Sequence, residues 1–442
     1  MVRMLNLIKV TTLLTLLTLS LNAQNINYVE YDMANGLKVL LHEDHTTPNV
    51  AVSVMYHVGS KNEKPDRTGF AHFFEHLLFE GSENIKRGEF SEYIDKAGGM
   101  NNANTWYDRT YYFEVLPSNQ LALGLWLESE RMLEAKVETV GIETQRKVVK
   151  EERRQRVDNQ PYGRLLEEAM KRTFIEHPYH HSVIGSMEHL DAAEEKDYKQ
   201  FYKDFYRPDN AILSIAGDID IEQTKMLIDI YYKDIPRGPG VIFRPKITEP
   251  DRNKEVRDTV YDNVQLPALV TTYRTPAQGT PDFYAVSMLT SLLSQGNSSR
   301  LQKTIVDAQQ KAVDVGAFPL QLEDPGACIL YAISSLGVEL PDLESSIDAI
   351  ITDVQTNLIT ETEYQKILNQ VETDFISANT SVAGIAESLA NYEMYFGDAN
   401  LINTELERYR KVTREDIKNA ANKYFNKNNR VVIYWLPVGA KP

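Results

Sequence analysis

The chain has 442 residues, of which 42% are hydrophobic and 25% charged, and its formal net charge is −16. A chain of this length can bury a large core and is expected to form two or more domains. The acidic balance argues against a general nucleic-acid binder, because neutralising phosphates requires clustered Lys and Arg, and the sequence contains no such cluster.

The first 23 residues have the pattern of a secretory signal peptide. Arg3 and Lys9 precede an apolar stretch from Val10 to Leu21, and Ala23 offers a small residue for cleavage. The stretch is shorter than the roughly 20 residues that span a bilayer. No cysteine follows that could carry a lipid. We therefore expect a cleaved signal, no membrane anchor, and a periplasmic or secreted protein.

The chain contains a single cysteine, Cys328, so an intramolecular disulfide is not possible. Cys328 lies in the apolar run "ACILYAI". Such a position is typical of a small buried hydrophobe. The fold must therefore be stabilised by burial of its core.

A stretch rich in turn-forming residues divides the chain near its middle. Residues 236–250, "PRGPGVIFRPKITEP", contain four prolines and two glycines. Such punctuation between periodic segments is typical of an interdomain linker. We place a first domain at 24–240, the linker at 241–254 and a second domain at 255–442.

Sequence patterns recur on both sides of this linker. "KDYKQFYKDFYRPDNAILSIAGD", which starts at Lys196, aligns without a gap on "EDIKNAANKYFNKNNRVVIYWLP", which starts at Glu415, and "HLLFEG" aligns on "SLLSQG". Each half has opening strands such as "LKVLLHED", then helices, then a closing strand. We predict a duplicated α/β (α+β) fold, with two homologous domains of about 210 residues in which mixed sheets pack against helices.

The first half carries a His-x-x-Glu-His motif in the apolar segment "TGFAHFFEHLLFEGSE". On a helix, His72 and His76 point the same way one turn apart, and Glu75 lies within about a quarter-turn of both. Two imidazoles so placed can bind zinc, and Glu75 beside the metal can take a proton from water. A structural zinc site would need four protein ligands, typically including cysteine, and no cysteine lies near the motif in the sequence. The pattern therefore indicates a catalytic site with a third ligand elsewhere.

Acidic residues on the next strong helix, "ETQRKVVKEERRQRVDNQPYG", are candidates for that ligand. Glu143, Glu151 and Glu152 are all possible from spacing alone.

These residues resemble the pitrilysin/insulinase family of inverted-motif zinc metallopeptidases, in its short two-domain bacterial form similar to processing peptidases. The resemblance rests on the motif from His72 to His76, on Glu152 in "VVKEERRQRVDNQPYG" 76 positions later, and on "GGMNNANTWYDRTYYFEVLP", "HPYHHSVIG" and "YRPDNAILSIAGD". It implies that Glu152 is the third ligand of one Zn²⁺ per chain. It also implies that the chain forms half of a clam-shell and pairs with itself or with a related family member.

The resemblance also assigns residues around the metal. It implies that the strand matching Asn102, Ala103 and Asn104 pairs with substrate backbone. Where the family has an acidic residue seven positions before the third ligand, this chain has Gln145, and Glu143 is a possible substitute.

The aligned second half has lost the metal-site residues together. His72, Glu75, His76 and Glu152 correspond to Ser287, Thr290, Ser291 and Val371. This is expected if the four act as a unit in the first half and the second half serves as an inactive homologous domain.

The resemblance predicts a zinc endopeptidase that acts on unfolded peptides or small polypeptides, with Glu75 activating water at the metal. The alternative is a non-catalytic family member that serves as a scaffold or partner subunit; a metal-binding module of another fold is a third interpretation. His-Glu ligation favours zinc over cobalt or manganese. Family members often hold substrate with an Arg and Tyr pair, but near Tyr331 this chain has no arginine, so a partner chain is expected to supply it. His177, His180 and His181 are interpreted as structural.

Overall fold

The computed structural model describes residues 25–440, so the predicted signal peptide lies outside the described residues. Within this range, two mixed sheets form, one in each half of the chain, and helices pack against both. The predicted α/β fold class is confirmed.

The first sheet has six strands in the order β1-β2-β6-β3-β5-β4. Its strands are β1 (Val29–Asp32), β2 (Lys38–Glu43), β3 (Asn49–Tyr56), β4 (Met100–Thr105), β5 (Thr110–Pro117) and β6 (Ala211–Gly217). The central strands β3 and β6 read "NVAVSVMY" and "AILSIAG" and are almost wholly buried. Such continuous apolar runs are typical of strands that are covered on both faces.

The second sheet has five strands in the order β7-β11-β8-β10-β9. Its strands are β7 (Val256–Asp262), β8 (Ala268–Arg274), β9 (Ala312–Leu320), β10 (Ala327–Ser334) and β11 (Arg430–Pro437). In the first sheet, the closing strand β6 lies parallel to β2 and antiparallel to β3. In the second sheet, the closing strand β11 lies parallel to β7 and antiparallel to β8 in the same way. The two sheets repeat one topology, to which the first adds the edge strand β1.

Among the described residues, the first half contains eight α-helices and the second half contains six. Those of the first half are α1 (Phe70–Leu77), α2 (Glu89–Lys96), α3 (Leu121–Glu134), α4 (Thr139–Arg153), α5 (Leu165–Thr173), α6 (Met187–Ala192), α7 (Glu195–Phe205) and α8 (Ile221–Tyr232). Those of the second half are α9 (Pro281–Ser294), α10 (Leu340–Thr356), α11 (Glu361–Ala378), α12 (Val382–Phe396), α13 (Leu401–Arg410) and α14 (Arg414–Tyr424).

Each half contributes one helix to the sheet of the other. Leu389 on α12 is buried in a cluster with Met55 and Ile212 of the first sheet. Met170 on α5 is buried in a cluster with Ile433 of the second sheet. Because each sheet is covered by a helix from the opposite half, the halves share an apolar core.

Residues 233–255, between α8 and β7, contain neither helix nor strand. The Arg244 guanidinium in this segment donates to the His57 carbonyl and to the Asn210 side chain, which fastens the segment to the first half. The domain boundaries at 240 and 255 stay predictions. Between residues 25 and 440, no helix is both long and apolar enough to cross a bilayer.

Candidate metal centre

Helix α1 carries the His-x-x-Glu-His motif and is amphipathic. Phe70 and Phe74 are buried in the core of the first half. His72, Glu75 and His76 occupy the opposite face, where they are partly exposed. The spacing of the apolar residues thus places all three polar side chains on one side of the helix.

The first turn of α1 depends on Gly69. This residue has a φ of +92°, and a Cβ atom on it would lie 2.7 Å from the Ile184 carbonyl oxygen. Only glycine adopts this backbone conformation without strain. The segment that presses on Gly69 belongs to the "HPYHHSVIG" stretch, so part of that stretch serves to seat the motif helix.

Helix α4 brings Glu152 to the two histidines. The Glu152 Oε2 atom lies 3.5 Å from His72 Nε2 and 3.2 Å from His76 Nε2. Two ligands about 2.1 Å from a tetrahedral zinc ion are about 3.4 Å apart. In residues 25–440, this trio is the only group of three or more His, Cys, Asp or Glu residues whose ligating atoms converge in this way.

The two oxygens of Glu152 have different partners. Arg156 Nη1 donates to Oε1 at 2.7 Å. Oε2, which faces the imidazoles, is buried and has no hydrogen-bond partner among the described residues. A buried carboxylate oxygen without a donor is costly unless a cation completes it. The donor set therefore fits a zinc ion held by two imidazoles and one carboxylate oxygen.

The electrostatics favour the forms of these side chains that bind metal. Burial, reinforced by the neighbouring His76, lowers the pKa of His72 to about 4. Burial opposes ionisation of Glu152, but the two histidines and Arg156 outweigh it and lower the pKa of its carboxyl. A neutral imidazole and an ionised carboxylate are the ligating species.

Glu75 is the fourth acidic or imidazole group at this site. Burial raises the pKa of its carboxyl, and the neighbouring Thr105 hydroxyl on β4 opposes the rise. A carboxylate with a raised pKa is better suited to accept and return a proton near neutral pH.

The other candidates for the third ligand point elsewhere. Glu151 is exposed and accepts hydrogen bonds from Arg154 Nη1 at 3.2 Å and Gln155 Nε2 at 3.0 Å. Glu143 is exposed and accepts from Arg146 at 3.3 Å. The geometry brings only Glu152 to the histidines.

Gln145 binds a different carboxylate. Its Nε2 donates to Glu80 Oε1 at 2.5 Å, and the Arg87 guanidinium pairs with the same carboxylate. Among the described residues, neither Gln145 nor Glu143 forms a hydrogen bond to the three converging side chains. Tuning of the metal by these two residues stays a prediction.

Strand β4 lies at the edge of the first sheet and pairs only with β5 within it. Asn102 and Asn104 are exposed, whereas Ala103 and Thr105 alternate with them and are half-buried. Because side chains alternate along a strand, Ala103 lies on the same face as Thr105, which neighbours Glu75. The structure thus places an open strand edge beside the motif.

A cavity of about 980 Å³ lies between the two halves. Thr105 and Trp106, at the end of β4, form one side of it. The other side includes all four counterparts of the metal-site residues, which are Ser287, Thr290, Ser291 and Val371. At the aligned positions, therefore, the second half carries residues that line this cavity, whereas the first half carries the side chains of the candidate metal site.

Two histidines of the "HPYHHSVIG" stretch and Tyr331 have other partners. His177 Nε2 lies 3.3 Å from Asp324 Oδ2, and His180 Nδ1 lies 2.8 Å from the His177 carbonyl oxygen. Tyr331 donates to Asp314 at 3.1 Å.

Two family descriptions match the chain. Residues 38–186 match "Insulinase (Peptidase family M16)", and residues 193–371 match "Peptidase M16 inactive domain". The zinc protease PqqE of Helicobacter pylori is 30% identical over 432 residues, covering 97% of this chain and 97% of that protein. The chain belongs to the insulinase family of peptidases.

Solved structures of two bacterial proteases show the same fold. The crystal structure of a protease from Helicobacter pylori has a TM-score of 0.89 at 29% identity, covering 93% of this chain and 100% of that one. The periplasmic protease PqqL of Escherichia coli gives a TM-score of 0.74 at 18% identity, and the match covers 92% of this chain but only 47% of PqqL.

A further relative is similar by sequence. An uncharacterized zinc protease of Mycobacterium leprae is 27% identical over 405 residues, covering 89% of this chain and 88% of that protein.

Sequence reasoning missed two residues of this insulinase-family site. Arg156 could have been found, because it follows Glu152 by four positions on a helix. The contact of Thr105 with Glu75 gave no signal, because it forms only in the folded chain.

Proposed function

We propose that this member of the insulinase family is a zinc-dependent endopeptidase that hydrolyses peptide bonds in unfolded peptides or small polypeptides. The observation that carries the proposal is the convergence of His72 Nε2, His76 Nε2 and Glu152 Oε2 beside the spare carboxylate of Glu75. The names of the relatives, several of them zinc proteases, support it.

His72, His76 and Glu152 would hold the zinc ion. When bound, zinc supplies Lewis acidity, which polarises a carbonyl and makes water more acidic. Arg156 keeps one oxygen of Glu152 occupied, so that the other faces the imidazoles.

Glu75 acts as the general base and then as the general acid. It lies on the same face of α1 as the histidines but does not join their cluster, so its carboxylate is free to take a proton from the attacking water. It then returns the proton to the nitrogen of the leaving amine. Positioned proton transfer of this kind contributes about 10²- to 10⁴-fold to a rate.

The substrate lies along the free edge of β4, where main-chain hydrogen bonds at Asn102, Ala103 and Asn104 orient it. Such strand addition depends on backbone groups and accepts many side chains. The peptide must be extended and unfolded, because a folded protein cannot present a single strand to this edge.

The experiment that tests this function compares Glu75→Gln with Glu151→Gln on a mixed peptide library. Glu75→Gln is expected to keep one zinc ion per chain and to lose at least about 100-fold in kcat. Glu151→Gln, the same change on an exposed side chain of α4, should cleave like the wild type. If Glu75→Gln cleaved peptides at the wild-type rate, the proposal would be refuted. If the wild type bound zinc without cleaving peptides, the result would support the alternative of a non-catalytic scaffold.

We also propose that the chain is exported and that two insulinase-type chains enclose the site. The pattern of residues 1–23 and the likeness to PqqL, a periplasmic protease, support export. The match to about half of PqqL supports pairing with a second copy or a related chain. Mass spectrometry of periplasmic protein should find residues 1–23 removed. Light scattering should give twice the mass of one chain if the chain pairs with itself, and a two-chain mass only after the related chain is added if it pairs with that chain.

A further inference from the structure

Glu63 is a buried carboxyl group that the proposed chemistry does not use. Its side chain is fully shielded from solvent, and along the chain Glu63 lies between β3 and the start of α1. A buried carboxyl group is costly unless its oxygens receive hydrogen bonds. Its partners therefore indicate what it does.

Both oxygens of Glu63 accept hydrogen bonds from the first turn of the motif helix. Oε2 accepts from the Gly69 N–H and Oε1 from the Ala71 N–H, each at 2.8 Å. The first four N–H groups of a helix have no partner within the helix. Glu63 satisfies two of these donors at once, and Ala71 directly precedes His72.

The group on the far side of Glu63 is His181. Its Nδ1 atom lies 3.8 Å from Glu63 Oε2. Burial lowers the pKa of His181 to about 4, so the ring is neutral near pH 7 and does not compete as a cation. The amide donors of α1 are therefore the principal partners of Glu63.

Two residues before Glu63, Lys61 anchors the same segment through ion pairs. Lys61 is almost fully buried and pairs with Asp108 at 2.8 Å, with Glu323 at 2.5 Å and with Asp324 at 3.2 Å. Glu323 and Asp324 belong to the turn between β9 and β10 in the second half. Lys61 therefore ties the residues that cap α1 to the half that lacks metal ligands.

We propose that Glu63 is a positioning residue for the metal-binding helix, and that the second half steadies it through Lys61. By fixing the Gly69 and Ala71 amides, Glu63 sets the axial position and rotation of the first turn of α1. That turn carries His72, so the carboxyl group helps to hold the His72 imidazole opposite Glu152. The inference rests on the proposed function only in that α1 must bind zinc.

The test compares Glu63→Gln and Glu63→Asp with a matched cap variant, Asp220→Asn. Asp220 accepts from the Gln223 N–H at 2.7 Å and caps α8, which carries no metal ligand. Zinc affinity is measured by competition with a chelator, and hydrogen exchange at Gly69 and Ala71 is followed in the metal-free protein.

In Glu63→Gln, the side-chain NH2 group, which is a donor, faces one of the two backbone N–H donors of Gly69 and Ala71. We therefore expect zinc affinity to fall by about 10- to 100-fold and both backbone amides to exchange faster. Glu63→Asp keeps the carboxyl group but is one methylene shorter, so its zinc affinity should lie between those of Glu63→Gln and the wild type. Asp220→Asn should bind zinc as the wild type does.

An affinity of Glu63→Gln within twofold of the wild type would overturn the proposal. If Glu63→Gln does not fold, an unchanged affinity of Glu63→Asp would overturn it instead. Chelator competition requires no turnover, so failure here is distinguishable from failure of the peptidase proposal, which the kcat of Glu75→Gln decides.

Discussion

The Glu323→Gln substitution tests the charged contact that joins the two halves. Glu323 Oε2 lies 3.0 Å from His57 Nε2 and 2.5 Å from Lys61 Nζ, so a single carboxylate of the second half pairs with two basic groups of the first. Glutamine keeps the shape of the side chain and removes its charge. We expect the variant to fold with a weaker junction.

The size of the effect follows from the pKa of Glu323. Burial opposes ionisation, but His57 and Lys61 outweigh it and lower the pKa from 4.5 to about 2. At about 1.4 kcal/mol per pKa unit, this gives an upper limit of about 3.4 kcal/mol for the charge near neutral pH. Because the side chain is 31% exposed, solvent screening reduces the expected loss to about 1–2 kcal/mol.

The assay is urea unfolding of metal-free wild type and Glu323→Gln at pH 7 and pH 3. A carboxyl group with a lowered folded-state pKa stabilises the protein above its unfolded pKa of 4.5, and this stabilisation is lost as the pH falls towards 2. The difference in free energy of unfolding between the wild type and Glu323→Gln should therefore be smaller by about half or more at pH 3 than at pH 7. An equal difference in free energy of unfolding at both pH values would show that the charge of Glu323 does not stabilise the protein in this way.

Other contacts lead to three further predictions. Glu152→Gln should lose most bound zinc in metal analysis while Glu151→Gln keeps it, and equal zinc contents would contradict the choice of Glu152. Cys328 is fully buried, and burial raises the pKa of its thiol to about 12, so it should react with a thiol reagent only in denaturant; rapid labelling of the native protein would contradict this. A fragment of residues 24–240 lacks α12, which covers part of the first sheet, so it should show no cooperative unfolding transition by circular dichroism, and a sharp transition would mean that this half folds alone.

The elements with strong local patterns were predictable from the sequence. The apolar run at β3 and the motif helix α1 lie where the residues indicate, because alternation and helical spacing depend only on neighbouring positions. The alignment of the segment at Lys196 with that at Glu415 predicted the repeated closing strands. The edge position of β4 leaves one side of the strand open, and the substrate pairing at Asn102, Ala103 and Asn104 that the resemblance implies stays a prediction.

The long-range contacts were not predictable in this way. No local pattern shows that α5 and α12 pack on the sheet of the opposite half, because their apolar faces fit any covered sheet equally well. Spacing alone left three carboxylates as possible ligands, and choosing Glu152 required the family resemblance. The contact between Glu63 and α1 depends on a turn whose path is set by Gly69 and Gly185, which meet only in the folded chain.

The most direct test of the central claim is a crystal structure of the zinc-loaded protein with anomalous diffraction measured on both sides of the zinc absorption edge. The expected result is one zinc ion per chain, bound by His72 Nε2, His76 Nε2 and the Glu152 carboxylate, with the Glu75 carboxylate near the metal but not bound to it. A zinc ion bound through Glu143 or Glu151, or an anomalous peak away from α1, would contradict the account.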